Sequence, residues 1–283
     1  AQGPRRGVKT SASMQIVPAP ERPRLELSGE RLRACLETLI ARAEEHGGVE
    51  AWVSALQLKS AMFRDALSGE PSLKQFRMLC AHMPTVRRRI GRHAEPDGFD
   101  ALRPRVQRLL GERSDTTATD ARIAQFCSGF PDDREHRWVR DLAAELLHQA
   151  DPQRYPLMTR WVWDARTNTG VLREIWHDDD VDAIRIDVPD LFDTFVVLRE
   201  ELAQYLSANG VFRDVPWYVD LLCAQVYADY IGERGDSYLR ADFATAEDPM
   251  LHVRRILGLD GVDANGRSRL KSFDGRAVIV DPQ

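Results

Sequence analysis

The chain has 283 residues, of which 43% are apolar, and a formal net charge of −5 at pH 7. A chain of this length can bury one large core or two smaller ones. Its apolar runs stay well short of the roughly 18 residues that a membrane-spanning helix needs, so the composition argues against a membrane protein.

The first residues have the composition of an unstructured segment. Residues 1–24, AQGPRRGVKTSASMQIVPAPERPR, combine Pro, Arg, Ser and Ala without helical periodicity. Segments of this kind bury too little apolar surface to fold alone. We therefore predict a flexible basic arm over residues 1–24.

Residues 25–113 are predicted to form a helical domain, because apolar side chains recur there at three- and four-residue spacing. Four predicted helices begin at Ser28, Val49, Ser72 and Thr85. The breaks between them fall at Gly47-Gly48, Ser68-Gly69 and Pro84. An amphipathic helix that carries Phe99, Leu102 and Val106 follows. The brief turns favour antiparallel packing of neighbouring helices. The polar stretch from Gly111 to Arg122 is the predicted domain boundary.

Residues 114–283 are predicted to form a second, mainly helical domain with small β elements. Its helices are predicted at Asp120–Cys127, Pro131–Gln149, Pro189–Asn209, Pro216–Ile231 and in MLHVRRIL after Pro249. The segment PWYVDLLCAQVYADYI is apolar almost all round, which is typical of a central buried helix. Alternation in RWVWD, VLREIW and AIRIDV predicts a three-stranded antiparallel meander over Arg160–Val188. Asp274-Gly275 between RLKSF and RAVIV predicts a C-terminal β-hairpin. The expected fold class is mainly α.

The cysteines and the first residues favour a cytoplasmic protein. Cys35, Cys80, Cys127 and Cys223 form no CxxC or CxxxC spacing, so a thiolate zinc site is disfavoured and reduced thiols are expected. The segment that begins at Ala1 lacks the apolar stretch of a secretory signal.

Charge is distributed unevenly along the chain. Residues 1–113 hold 20 basic against 13 acidic residues, a net of +7, and residues 114–283 hold 19 against 31, a net of −12. The densest basic patch consists of Arg87, Arg88, Arg89 and Arg92. Such a patch can bind an acidic protein face or nucleic acid. The acidic total and the acidic residues close to the patch make nucleic acid the weaker alternative.

Three of the six tryptophans, Trp161, Trp163 and Trp176, lie within sixteen residues. Across a hairpin they would stack, either as core against a helix or as an exposed anchor for a partner. We keep them as candidate partner-binding residues.

An acidic cluster follows the last of these tryptophans. His177, Asp178, Asp180 and Asp182, together with Asp179, offer ligands for a divalent metal, although the spacing is not that of an EF-hand. The alternative is a solvated turn, and no cofactor is predicted apart from this possible metal. Glu145-x-x-His148 and Glu174-x-x-His177 match half of a di-iron ligand set, but the second pair falls in a predicted strand, where its members would face opposite sides.

Familiar catalytic motifs are absent from the sequence: GxxxxGK[ST], GxGxxG, GxSxG and HExxH do not occur. The leading hypothesis is therefore a non-catalytic subunit, adaptor or assembly factor of a cytoplasmic complex. Its expected partners are other protein subunits or further copies of the chain. A metal-dependent enzyme built on His177–Asp182 and a nucleic-acid-associated protein using the basic arm and Arg87–Arg92 are the alternatives.

Overall fold

The computed structural model describes residues 22–178, 183–234, 250–271 and 277–279. These residues form ten α-helices, one 3-10 helix and two short strands, so the prediction of a mainly helical protein is confirmed. The α-helices are α1 (Gly29–Glu44), α2 (Val49–Ala66), α3 (Leu73–Ala81), α4 (Pro96–Gly111), α5 (Thr119–Cys127), α6 (Trp138–Ala150), α7 (Val171–Glu174), α8 (Phe192–Ala208), α9 (Val215–Arg234) and α10 (Leu251–Ile256). None of these helices combines the length and the hydropathy that crossing a membrane requires.

Local capping chemistry sets the helix limits in the first part of the fold. Ser72 precedes α3, where its hydroxyl accepts from the backbone N–H of Gln75 at 3.2 Å while the Gln75 side chain accepts from the Ser72 N–H at 2.9 Å. This capping box satisfies two N–H groups that the helix leaves free. Gly47 and Gly48 separate α1 from α2 with φ of 89° and 82°, in the left-handed region that favours glycine.

The core is organised around α9, as its apolar circumference predicts. Helices α1, α2, α7, α8 and α10 all contact it. Leu221 and Leu222 are fully buried. Buried side chains from both predicted domains, including Leu39 and Leu146, belong to a single hydrophobic cluster. The boundary at 111–122 stays a prediction.

The predicted meander over Arg160–Val188 is not confirmed, because the described part of this range contains no named strand. A turn joins Asp164 to Thr169 by one antiparallel bridge, and the helix α7 follows where the second strand was predicted. Gly170, with φ of 121°, lies so close to the preceding segment that a Cβ atom there would be 2.8 Å from the carbonyl oxygen of Val162. The segment therefore folds as compact turns packed into the core.

The predicted C-terminal hairpin is confirmed in its pairing. Strand β1 (Arg267–Lys271) pairs antiparallel with β2 (Ala277–Ile279) and contacts α3. Ser268 and Leu270 of β1 are buried between exposed neighbours. The turn residues Asp274 and Gly275 lie outside the described ranges.

Two further predictions differ from the structure, and a third falls largely outside the described residues. Helix α6 begins at Trp138, seven residues after the predicted start at Pro131. The basic helix predicted from Thr85 is a series of turns that leads into a 3-10 helix at Gly91–Ala94. Most of the predicted arm, residues 1–21, lies outside the described residues.

Candidate functional site

The basic patch is divided by burial into one anchoring arginine and three exposed ones. Arg87 is buried, which corrects the expectation that all four arginines face a partner. Its guanidinium donates to Asp260 Oδ1 at 2.8 Å and to the carbonyl oxygen of Ala81 at 3.2 Å. Asp260 also accepts from the side chain of Arg269, with 3.0 Å between Nε and Oδ2. Arg87 thus ties the end of α3 to the turn before the C-terminal hairpin.

The remaining arginines of the patch, Arg88, Arg89 and Arg92, are exposed. We call these three residues the basic surface. The segment that carries them is anchored to the fold, because Val86 and Ile90 are buried in the core. Among the described residues, no carboxylate forms an ion pair with any of the three arginines. The basic surface is therefore a candidate site for an acidic partner.

The tryptophans are core residues to different degrees. Trp163 is fully buried and its indole N–H donates to the carbonyl oxygen of Val188 at 3.0 Å. Trp161 is 7% exposed and packs on Tyr227, with ring centroids 5.6 Å apart. Neither is accessible to a partner, so both are withdrawn from the candidate binding residues. Trp176 is half-buried and forms a backbone bridge with Leu27.

The structure describes only the beginning of the acidic cluster. His177 and Asp178 are exposed, and the His177 N–H donates to the carbonyl oxygen of Glu26 at 2.8 Å. Asp180 and Asp182 lie outside the described residues, as does Asp179. Within the described ranges, no group of His, Cys, Asp and Glu side chains is arranged to hold a metal ion.

The feature that the sequence did not reveal is a buried polar network around α6. Asp141, Glu145, His148 and Gln149 of this helix are all at most 2% exposed. Buried charged and polar groups are costly unless they are paired, so Asp141, Glu145 and His148 each need a partner from another element. Asp141 accepts three hydrogen bonds from Arg160, through the backbone N–H and the guanidinium, at 2.7 to 3.0 Å.

Glu145 is paired with a lysine on α2. Lys59 Nζ lies 3.5 Å from Glu145 Oε2 and donates to the carbonyl oxygen of Leu257 at 2.9 Å. The ammonium group of Lys59 therefore joins α2, α6 and the end of α10. Its position within the apolar stripe of α2, beside Leu56 and Phe63, was the signal in the sequence that could have identified it.

His148 lies between α6 and α9. Its Nδ1–H donates to the carbonyl oxygen of Tyr155 at 2.8 Å, and Nε2 is 3.0 Å from Asp220 Oδ2 at an angle that falls short of a good hydrogen bond. Burial lowers the pKa of His148, but the charge of Asp220 and the other polar contacts raise it above the ordinary value overall. The surroundings of His148 therefore favour its protonated form more than water does.

This network has the components of a general acid or base, but its reactive atoms are enclosed. The side chains of His148 and Asp220 are only 2% and 7% exposed. A catalytic base must come within hydrogen-bond reach of its substrate. The arrangement therefore supports a structural role in which paired charges align α2, α6 and α9.

The chain matches no protein-family model, and no curated protein or solved structure is significantly similar to it.

Proposed function

We propose that this chain is a non-catalytic component of a cytoplasmic complex, working as a subunit, adaptor or assembly factor. It binds an acidic face of a protein partner through the basic surface formed by Arg88, Arg89 and Arg92. The observation that carries the proposal is the exposure of three neighbouring guanidinium groups with no carboxylate ion-paired to them in the described part of the chain. Complementary charge of this kind raises association rates and selects orientation.

A fixed backbone makes the basic surface suitable for recognition. Arg87 and Asp260 are 5% and 8% exposed and hold the turn from the inside. The three exposed arginines therefore need less ordering of their backbone on binding, which lowers the entropic cost of association. Their side chains remain free to adapt to a carboxylate-rich surface.

The partner is another protein subunit or a second copy of the chain. Residues 114–283 carry a net charge of −12 and offer an acidic counterpart in a second copy. Nucleic acid is the less favoured ligand, because Glu95, Asp97 and Asp100 follow the basic surface and the whole chain is acidic.

The thiols support a reducing compartment such as the cytoplasm. All four cysteines are free. Burial raises the pKa of Cys80 and of Cys223, which keeps both thiols protonated. Buried protonated thiols behave as small apolar side chains, so they contribute packing and no reactivity.

Sedimentation velocity of the fluorescently labelled full chain in native-host extract tests the proposal. We expect a fast-sedimenting species at about 50 mM salt that survives nuclease treatment and dissociates at about 500 mM, because screening weakens exposed charge pairs. Loss of that species after nuclease treatment would support the nucleic-acid alternative. A chain that sediments as a monomer at every salt concentration would refute both the protein-partner proposal and the nucleic-acid alternative.

A further inference from the structure

A small pocket between α4 and α5 is lined by an unusual set of side chains. Each helix contributes residues at positions i, i+3 and i+4, which lie on one helical face. The lining residues are Arg105, Arg108 and Leu109 from α4 and Arg122, Gln125 and Phe126 from α5. The pocket is small and partly open to solvent. It therefore contains three guanidinium groups and no carboxylate.

Arg122 forms the buried wall of this pocket and is only 7% exposed. Its guanidinium donates to neutral oxygens alone: the carbonyl oxygens of Asp115 at 2.8 Å and Leu109 at 3.3 Å, the hydroxyl of Tyr155 at 2.7 Å, and the hydroxyl of Thr119 at 3.5 Å. Its buried Nε has no hydrogen-bond partner. A buried cation without a directly paired carboxylate is costly, so an anionic ligand at this site would be stabilised.

The Asp115 carboxylate is close enough to interact with the charge of Arg122, but it forms no ion pair with that residue. The side chain of Asp115 accepts from the Thr117 hydroxyl at 2.6 Å and its backbone N–H at 2.9 Å, while only the Asp115 carbonyl oxygen contacts Arg122. Arg105 and Arg108 form no ion pair with any described carboxylate. The Arg105 guanidinium instead lies 5.9 Å from the centroid of the Phe130 ring and against Gly129, where a Cβ atom would be 2.0 Å from its Cζ.

We propose that this pocket binds a phosphate group. Three guanidinium groups call for a ligand with more than one negative charge, and guanidinium groups match the oxygens of phosphate in pairs. The pocket is too small to enclose a whole drug-sized ligand, so a compact anionic group is the part of a ligand that it can contact. The group is either inorganic phosphate or the phosphate of a small monoester. The site is separate from the basic surface and does not depend on the function proposed for it.

Isothermal titration calorimetry of the full chain with inorganic phosphate and with phenyl phosphate tests the site, with chloride at matched ionic strength as the reference. We expect one phosphate bound per chain. Tight binding of phenyl phosphate supports a monoester, and preference for inorganic phosphate supports the free anion. Heats no larger than those of the chloride reference would overturn the proposal.

Three variants locate the binding. Arg105→Gln and Arg108→Gln should each weaken phosphate binding about tenfold, because each removes one charge-assisted contact. Gly129→Ala should weaken it as well, by displacing the flexible end of Arg105 without removing a charge. Arg64→Gln, an exposed arginine on α2, removes the same charge elsewhere and should bind phosphate as the wild type does. Equal affinity in all four variants, or an equal loss in Arg64→Gln, would refute a site in this pocket. Melting curves followed by circular dichroism check that each variant is folded.

Discussion

Arg87 and Arg88 are neighbours in the chain but have opposite surroundings. Arg87 is buried against Asp260, whereas Arg88 is exposed. A buried guanidinium is tolerated only where its donors are satisfied, and the carboxylate of Asp260 and the carbonyl oxygen of Ala81 meet this need. One residue type therefore holds the fold at one position and is free to bind at the next.

Replacing Asp260 with Asn should destabilise the protein by about 3–5 kcal/mol, because removing one member of a buried pair leaves the other uncompensated. Urea unfolding measures the loss. Asp65→Asn, at an exposed position on α2, is the matched control and should change the free energy of unfolding by less than about 0.5 kcal/mol. Equal effects of the two substitutions would show that the Arg87–Asp260 pair does not anchor the turn.

The pair of His148 and Asp220 should make stability depend on pH. The folded-state pKa of His148 is raised, so its contribution is fully present below the unfolded value of about 6.5 and is lost as the pH rises through the folded value. Asp220→Asn removes the charge that raises this pKa. The stability difference between wild type and Asp220→Asn should therefore be larger at pH 5.5 than at pH 9. A difference that is constant with pH would contradict a raised pKa for His148.

His82 should give stability a pH dependence opposite to that expected from His148. Burial, together with the charge of Lys59, lowers its pKa from 6.5 to about 4. Its contribution to stability is therefore present above the unfolded value and is lost as the pH falls from 6.5 through about 4. His82→Gln should flatten the loss of stability between pH 7 and pH 4. An unchanged acid slope in urea unfolding would show that His82 titrates normally.

At the scale of the element, α9 is the helix on which the others pack. Leu222→Ala should cost about 2–5 kcal/mol, since the fully buried side chain leaves a cavity in a tight core. Leu58→Ala on α2 is the control, because Leu58 is 72% exposed and should contribute little. Chemical denaturation compares the two variants. A loss below about 1 kcal/mol for Leu222→Ala would contradict the central position of α9.

The elements that the sequence predicted well are those determined by local chemistry. Ser72 and Gln75 cap α3 within one turn, and Gly47 and Gly48 end α1 by their own backbone conformation. The predicted meander is not confirmed, because the alternating pattern on which it rested did not separate a buried face from an exposed one. Trp161, Val162 and Trp163 are all buried.

The candidate sites depended on partners far away in the chain, which no local pattern reveals. Arg87 and Asp260 are 173 positions apart, and Lys59 and Glu145 are 86 positions apart. The basic patch itself was visible in the sequence, but its division into buried and exposed arginines was not. Likewise, Glu145 and His148 were recognised as a motif, whereas their partners Lys59 and Asp220 became apparent only in the fold.

At the scale of the whole molecule, the proposed function depends on the distribution of charge. The +7 of residues 1–113 includes an exposed basic surface, while residues 114–283 carry −12. Three neighbouring arginines repel one another, and Arg88, Arg89 and Arg92 have no carboxylate ion-paired to them in the described ranges. Under the proposed function, a partner with complementary charge offsets this repulsion.

The most direct measurement compares two charge-reversed chains by sedimentation velocity in nuclease-treated host extract at about 50 mM salt. One carries Arg88→Glu, Arg89→Glu and Arg92→Glu. The other carries the same change in charge at three exposed arginines that form no ion pair with a described carboxylate, as Arg64→Glu, Arg134→Glu and Arg213→Glu. The proposed function predicts that the first chain sediments as a free monomer while the second still enters the fast-sedimenting species. Retention of both chains, or equal loss of both, would contradict a partner-binding role for the basic surface.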